Sequence, residues 1–99
     1  MAGGWRGVFT IPVTPFDERG GLDEASLRRQ VDWCVRAGAH GIVAPVNASE
    51  GPPLTDEERR VVTRIVVEET AGRIPTVIGV SATGVQSSLL FTRWAKEVG

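Results

Sequence analysis

The residues of this chain that could do chemistry are few, and most of them follow one short apolar run. The run from Gly41 to Ala44 stops at Pro45, and the loop after it carries Asn47, Ser49 and Glu50. An amide, a hydroxyl and a carboxylate supply hydrogen-bond donors and acceptors. The small residues of the loop would also let backbone N–H groups approach a ligand. This loop is therefore the first candidate for a binding site.

The other reactive side chains stand alone. Cys34 is the single cysteine and lies between Trp33 and Val35, where a buried cysteine acting as a small hydrophobe is expected. His40 has no Cys/His/Asp cluster around it and is a poor metal candidate. Lys96, the single lysine, falls on the polar side of a predicted helix and is expected at the surface. The sequence therefore predicts no metal site.

The composition is that of an ordinary globular chain. Of 99 residues, 41% are hydrophobic and 23% are charged, and the formal net charge is −1. These values predict a folded chain, and they give no reason to expect nucleic acid or a membrane as partner. No apolar run approaches the roughly 20 residues of a membrane-spanning helix. The start, MAGGWRG, lacks the apolar core of a secretory signal, and a lone cysteine fits a reducing compartment, so we expect a cytoplasmic protein.

Three strand–helix pairs are expected to position the loop. The predicted strands are the β-branched runs at residues 8–13, 41–44 and 74–80, which begin roughly 33 residues apart. An amphipathic helix follows each of them. The apolar positions of the first helix are Leu27, Val31, Cys34 and Val35, and the second helix is expected to bury Val61, Val62, Ile65 and Val66. The third helix carries Leu89, Leu90, Trp94 and Val98, of which Leu89 is expected to pack onto the strands.

Local signals set the helix ends. Asp23 is predicted to cap the first helix, and Gly38 to end it in a left-handed conformation. Thr55 with Glu58 three residues later is a capping-box pattern for the second helix, which should end near residues 71–72. The third helix is expected from Val85.

Alternating apolar strands and amphipathic helices predict a parallel sheet covered by helices. Both an open doubly wound sheet and a (β/α)₈ barrel fit that order. After the first strand the chain reads VTPFDERGG and not G-x-G-x-x-G, which argues against a nucleotide-binding open sheet. The segment 93–99 repeats the helix-then-glycine pattern that precedes the second strand. We therefore expect the chain to stop just before a fourth strand.

Four motifs, in order, resemble the dihydrodipicolinate synthase / N-acetylneuraminate lyase family. They are VTPF at residues 13–16, Ser49-Glu50, LTDEER at 54–59 and RIP at 73–75, and the resemblance covers residues 7–99. It implies a class I aldolase-type fold. Residues 1–99 would then be the N-terminal fragment of a single TIM-barrel catalytic domain, an α/β fragment with the first three β/α units of a (β/α)₈ TIM barrel, truncated before the fourth strand.

The resemblance also implies a chemistry. The family forms a Schiff base between a lysine and the carbonyl of a 2-oxo acid, which makes an electron sink for breaking or forming a neighbouring bond. The loop after the second strand commonly reads G-T-T-G-E or G-S-T-G-E and holds the substrate carboxylate. The lysine, and a tyrosine that assists it, would lie beyond Gly99.

This loop departs from the family pattern. Val46 takes the first glycine position, and Asn47 takes the first threonine position, which belongs to a proton relay in the synthase branch. Ala48 takes the threonine that binds the carboxylate, Ser49 the second glycine and Glu50 the glutamate. Ala48 and Ser49 are thus the expected substrate-binding residues. An amide donates a hydrogen bond but does not shuttle a proton as a hydroxyl does.

Structural roles are open for three features near this loop. Glu50 could stabilise the loop and the following helix end instead of taking part in the chemistry. Thr14 could bond the strand end instead of the substrate. The segment SATG at 81–84 could line a pocket or begin the third helix.

The resemblance thus predicts a Schiff-base-forming lyase or aldolase that acts on a 2-oxo acid such as pyruvate, without a metal or an organic cofactor. A sugar-acid dehydratase of the same family is the alternative, as is a catalytically inactive fragment or scaffold piece. The 99-residue chain alone is expected to be inactive, and the full-length parent to be a homo-oligomer.

Overall fold

A computed structural model describes residues 5–50, 53–82 and 84–99. Thr83 of the predicted 81–84 loop, and the first residues of MAGGWRG, lie outside that range. The predicted order of three strands, each followed by a helix, is confirmed. The elements are β1 (Phe9–Thr10), α1 (Glu24–Arg36), β2 (Gly41–Ala44), a 3₁₀ turn (Asn47–Ser49), α2 (Asp56–Thr70), β3 (Thr76–Ile78) and α3 (Val85–Val98).

The three strands form a parallel sheet in the order β1-β2-β3. In the central strand β2, Ile42 pairs with Thr76 of β3 on one side and with Thr10 of β1 on the other. Connections through helices therefore place the carboxyl ends of all three strands at the same edge. That edge carries the candidate loop.

Two strands are shorter than predicted. The first was expected at residues 8–13 and spans Phe9–Thr10, and the third was expected at residues 74–80 and spans Thr76–Ile78. At the first strand the reason is a competing partner. The side-chain amide of Gln30 in α1 accepts from the Val13 N–H at 2.8 Å and donates to the Val13 carbonyl at 3.0 Å. Pro12 has no N–H to offer to a ladder. The polypeptide therefore leaves the sheet after Thr10.

The predicted helix ends are confirmed. The Thr55 hydroxyl accepts from the Glu58 N–H at 3.1 Å and the Glu58 carboxylate accepts from the Thr55 N–H at 2.8 Å. Asp23 caps α1 through Ser26, whose hydroxyl and N–H both donate to it and hold the pKa of Asp23 below its usual range. Because folding lowers this pKa, the stability that the cap contributes is present above the unfolded value and is lost as the pH falls through the folded one.

The core lies between the sheet and the pair α1 and α2, which pack against each other and against β2. Its buried members are Leu27, Val31, Cys34, Ile42, Ala44, Leu54, Val62, Ile65 and Val66. Val61 is half-buried and packs against this core, and Val35 is also only half-buried. Cys34 is buried as predicted, and desolvation raises the pKa of its thiol.

The predicted packing of Leu89 onto the strands is wrong, whereas Trp94 and Val98 of the same helix are half-buried. Leu89 and Leu90 are 42% and 63% exposed, whereas Phe91 is buried and Trp94 packs edge-on against it with ring centroids 6.3 Å apart. Leu89, Leu90 and Phe91 are consecutive, so the sequence alone does not show which of them faces inward. The contact with Arg59 and Arg60 of α2 buries Phe91. Among the described residues, no helix is both long enough and apolar enough to cross a membrane.

Candidate functional site

The carboxyl ends of the strands open onto a cavity of about 580 Å³. Its walls come from the sheet, the loop after β2, α2 and the segment after β3. The lining residues are Ile11, Val43, Pro45, Val46, Asn47, Ala48, Arg59, Gly79 and Ser81. The predicted loop thus borders a cavity at the edge where parallel α/β sheets bind ligands.

The loop is a tight 3₁₀ turn that leaves two backbone donors free. The Ser49 N–H donates to the Val46 carbonyl at 3.0 Å, and the Glu50 N–H donates to the Asn47 carbonyl at 3.0 Å. Within the described residues, no hydrogen bond uses the N–H groups of Asn47 and Ala48. Both residues are exposed and line the cavity. Both N–H groups are therefore available to an acceptor that binds against the loop.

Ser49 lies behind the loop and not at the cavity. Its side chain is fully buried, and its hydroxyl has no hydrogen-bond partner among the described residues. Its carbonyl accepts a hydrogen bond from the hydroxyl of Thr14, which is also buried. This geometry gives no support to the prediction that Ser49 binds a substrate, because its N–H already donates to the Val46 carbonyl and its side chain does not line the cavity. It does support the structural role of Thr14, which ties the residues after β1 to the loop after β2.

The start of the loop rests on the end of β3. Gly79 donates its N–H to the Ala44 carbonyl at 3.3 Å. A Cβ atom added to Gly79 would lie 2.0 Å from the Pro45 carbonyl oxygen and 3.0 Å from Cγ1 of Val46. Only a glycine permits this approach, so the contact fixes where the loop begins.

Arg59 completes the wall from α2. Its Nη2 donates to the Gly79 carbonyl at 3.2 Å, and its guanidinium carbon lies 4.1 Å from the centroid of the Phe91 ring. Sequence reasoning missed both Arg59 and Gly79 as site residues. A signal for Arg59 was present, because it is spaced three and seven residues before Val62 and Val66 and so falls on the buried stripe of α2.

The remaining candidates lie apart from this wall or at its rim. Ser81 lines the cavity, which agrees with the pocket-lining role suggested for residues 81–84. Glu50 and Lys96 are exposed and do not line it. His40 lies at the opposite edge of the sheet, where its Nδ1 accepts from the Val8 N–H at 2.9 Å. Across the described residues, no group of three His, Cys, Asp or Glu side chains is arranged to hold a metal ion.

Sequence relatives share nearly the whole chain. The chain is 40% identical over 95 residues to an uncharacterized DapA-like lyase of Rhizobium meliloti, covering 96% of this chain and 32% of the relative. It is 37% identical over 94 residues to an L-2-keto-3-deoxyarabonate dehydratase of Azospirillum brasilense, covering 95% and 30%. The chain therefore spans about a third of the length of these relatives.

Solved structures share the fold to the same extent. A putative dihydrodipicolinate synthetase from Pseudomonas aeruginosa superposes with a TM-score of 0.94 at 28% identity, over 97% of this chain and 33% of that one. An N-acetylneuraminate lyase from Mycoplasma synoviae superposes with a TM-score of 0.89 at 26% identity, over 95% and 32%. The sequence model of the dihydrodipicolinate synthetase family matches residues 4–99. The chain belongs to the dihydrodipicolinate synthetase family.

Proposed function

We propose that this chain supplies the first three β/α units of a (β/α)₈ barrel lyase that forms a Schiff base with a 2-oxo acid such as pyruvate. Residues 1–99 would form part of a single catalytic domain that acts as a homo-oligomer. The observation that carries the proposal is that the N–H groups of Asn47 and Ala48, two residues that line the cavity, have no acceptor among the described residues. Two backbone donors on neighbouring residues suit a carboxylate, which accepts hydrogen bonds only.

The contribution of this loop would be to position the substrate. A carboxylate held by the Asn47 and Ala48 amides fixes the neighbouring carbonyl in the cavity, so that an amine can reach it in the correct orientation. The amine itself would come from outside these residues, because Lys96 is exposed near the end of α3 and does not line the cavity. Ser49 and Thr14 would support the loop from behind.

A sugar-acid dehydratase is the second candidate, and residue 47 favours it over the synthase. Asn47 stands at the family's proton-relay position, where it donates a hydrogen bond but does not relay a proton as a threonine hydroxyl does. The Azospirillum brasilense relative is named as a dehydratase. Conversion of a 2-keto-3-deoxy sugar acid without release of pyruvate would select the dehydratase.

The Schiff base is tested by trapping. The protein that carries this chain is incubated with pyruvate and borohydride, and its intact mass and peptide masses are measured. One adduct per chain is expected on a lysine other than Lys96, with none when pyruvate is omitted. The isolated 99-residue chain is expected to give no stoichiometric adduct. Absence of an adduct in the whole protein, or an adduct on Lys96, would refute the proposal.

The loop is tested by changing Ala48. Ala48→Pro removes one of the two free N–H groups and is expected to raise KM for the 2-oxo acid by an amount equivalent to about 1–3 kcal/mol, the cost of leaving a charged group short of one hydrogen bond. Ala48→Thr keeps the N–H and is the matched control, with KM expected to stay near that of the parent. Steady-state kinetics measure both, with folding checked by circular dichroism. A normally folded Ala48→Pro variant with unchanged KM and kcat would show that the loop does not hold the substrate.

A further inference from the structure

Arg59 is a buried positive charge that has no counter-ion among the described residues. Its exposed fraction is 8%, and no carboxylate of the described residues lies within ion-pair distance of it. The arginines that do form ion pairs within that part of the chain are Arg28, Arg36 and Arg73, all of them much more exposed. Buried arginines are rarely found unless they are paired, because an isolated charge loses its hydration on burial.

The partners that Arg59 does have are neutral and leave donors unused. Of its five N–H donors, one on Nη2 goes to the Gly79 carbonyl, and the face of the guanidinium lies on the Phe91 ring. Nε is buried and has no acceptor among the described residues. Nη1 also forms no hydrogen bond there, but it is not enclosed. A carbonyl and a ring hold the guanidinium in place without neutralising it.

The position of this charge points to a ligand. Arg59 is the single ionisable side chain among the described residues that line the cavity. It reaches the cavity at the end of β3, whereas the free N–H groups of Asn47 and Ala48 follow β2. Neighbouring strands are about 4.8 Å apart. One set of donors follows β2, and the other belongs to α2 and lies beside the end of β3, an arrangement that suits a small molecule with two acidic groups.

We propose that Arg59 binds a second anionic group of the ligand, so that the cavity accepts a 2-oxo diacid in preference to a 2-oxo monoacid. The inference rests on the proposed function, because the loop amides are taken to hold the carboxylate next to the carbonyl. The distal carboxylate would then meet the Nη1 edge of Arg59, supplying the missing counter-ion through a charge-assisted hydrogen bond.

The test compares two ligands of equal length, 2-oxoglutarate and 2-oxopentanoate, which differ in the distal carboxylate. Their dissociation constants are measured by isothermal titration calorimetry on the whole protein and on Arg59→Gln, which keeps an amide donor but loses the charge. Arg59→Lys keeps the charge. Arg60→Gln is the matched control, since Arg60 also lies near the Phe91 ring, at 5.6 Å, but does not line the cavity.

For the parent we expect 2-oxoglutarate to bind more tightly than 2-oxopentanoate. Arg59→Gln should weaken 2-oxoglutarate about tenfold, in line with the loss of one hydrogen bond to a charged group, and should change 2-oxopentanoate less than twofold. Arg59→Lys should recover part of the difference, and Arg60→Gln should have no effect on it. Equal changes for both ligands, no change for either, or no binding of either would overturn the inference.

The two proposals fail separately. Arg59-dependent binding of 2-oxoglutarate in a protein that gives no borohydride adduct would leave the diacid site standing and remove the Schiff base. An adduct with pyruvate, in a protein that binds 2-oxoglutarate and 2-oxopentanoate equally well, would support the Schiff base and remove the diacid site. A lower melting temperature for Arg59→Gln with an unchanged ligand preference would show that Arg59 only supports Gly79 and Phe91.

Discussion

Replacing Gly79 by alanine is expected to destabilise the protein and weaken ligand binding at the same time. The added Cβ would lie 2.0 Å from the Pro45 carbonyl oxygen, which is a backbone atom and cannot rotate away as a side chain would. Either the β3 end or the start of the loop must move. Overpacking of this kind typically costs about 1–3 kcal/mol and occasionally more. Urea unfolding followed by circular dichroism measures the loss of stability, and KM for the 2-oxo acid measures the loss at the site.

Gly84→Ala is the control for this change. A Cβ at Gly84 meets no atom within 4 Å, and its φ of −127° is open to any residue. Alanine is a poorer N-cap than glycine, so a small loss of about 1 kcal/mol or less is expected, with KM unaffected. If Gly79→Ala proved as stable as the parent and bound the 2-oxo acid equally well, the loop would not depend on its contact with β3.

Truncating Ile42 to alanine is expected to destabilise the protein more than any of the other substitutions. Ile42 is fully buried in the central strand and belongs to the core shared with α1 and α2. Removing a buried isoleucine side chain down to alanine costs about 2–5 kcal/mol through lost burial and the cavity left behind. Since a domain is stable by only about 5–15 kcal/mol, this one change would remove a large part of the total. The free energy of unfolding in urea measures it.

Ile42→Val calibrates that prediction. It deletes one methylene and keeps the β-branched shape, so its cost should be about 0.5–1.5 kcal/mol. Val43 is adjacent in the same strand but lines the cavity and is only half-buried, so Val43→Ala should cost less than Ile42→Ala. A larger loss for Val43→Ala would mean that the sheet buries its other face more deeply, contrary to a core that lies between the sheet and the helices α1 and α2.

The helix ends could be predicted from the sequence because their causes are local. Thr55 and Glu58 bond to each other's backbone within a single turn, and Asp23 bonds to Ser26 in the same way. Such signals are complete within four residues. The amphipathic pattern of α2 was equally sufficient, since Val62, Ile65 and Val66 are all buried. The order of elements follows from these signals together with the three apolar runs.

The rest depends on residues far apart in the chain. The end of the first strand is decided by Gln30, seventeen positions beyond Val13, and a strand pattern contains no information about that competitor. Ser49 was expected to bind the substrate from its place in the family loop, and that stays a prediction; the structure buries its side chain and bonds its carbonyl to the Thr14 hydroxyl. The family motifs placed the loop at the carboxyl edge of the sheet, and there it borders a cavity. Which of its groups face the cavity emerged only from the three-dimensional contacts.

The bond between Thr14 and the Ser49 carbonyl has a consequence for the thermodynamics of recognition. The loop is tied at one end by this bond and at the other by the contact of Pro45 with Gly79. Ordering a loop residue costs about 1–2 kcal/mol of conformational entropy, and here that cost is met when the protein folds and not when a ligand arrives. Binding then loses less free energy to ordering the loop, so more of the free energy of its hydrogen bonds appears as affinity, as is general for preorganised sites. For the proposed 2-oxo acid site, this preorganisation predicts selectivity for small acids that offer little apolar surface of their own.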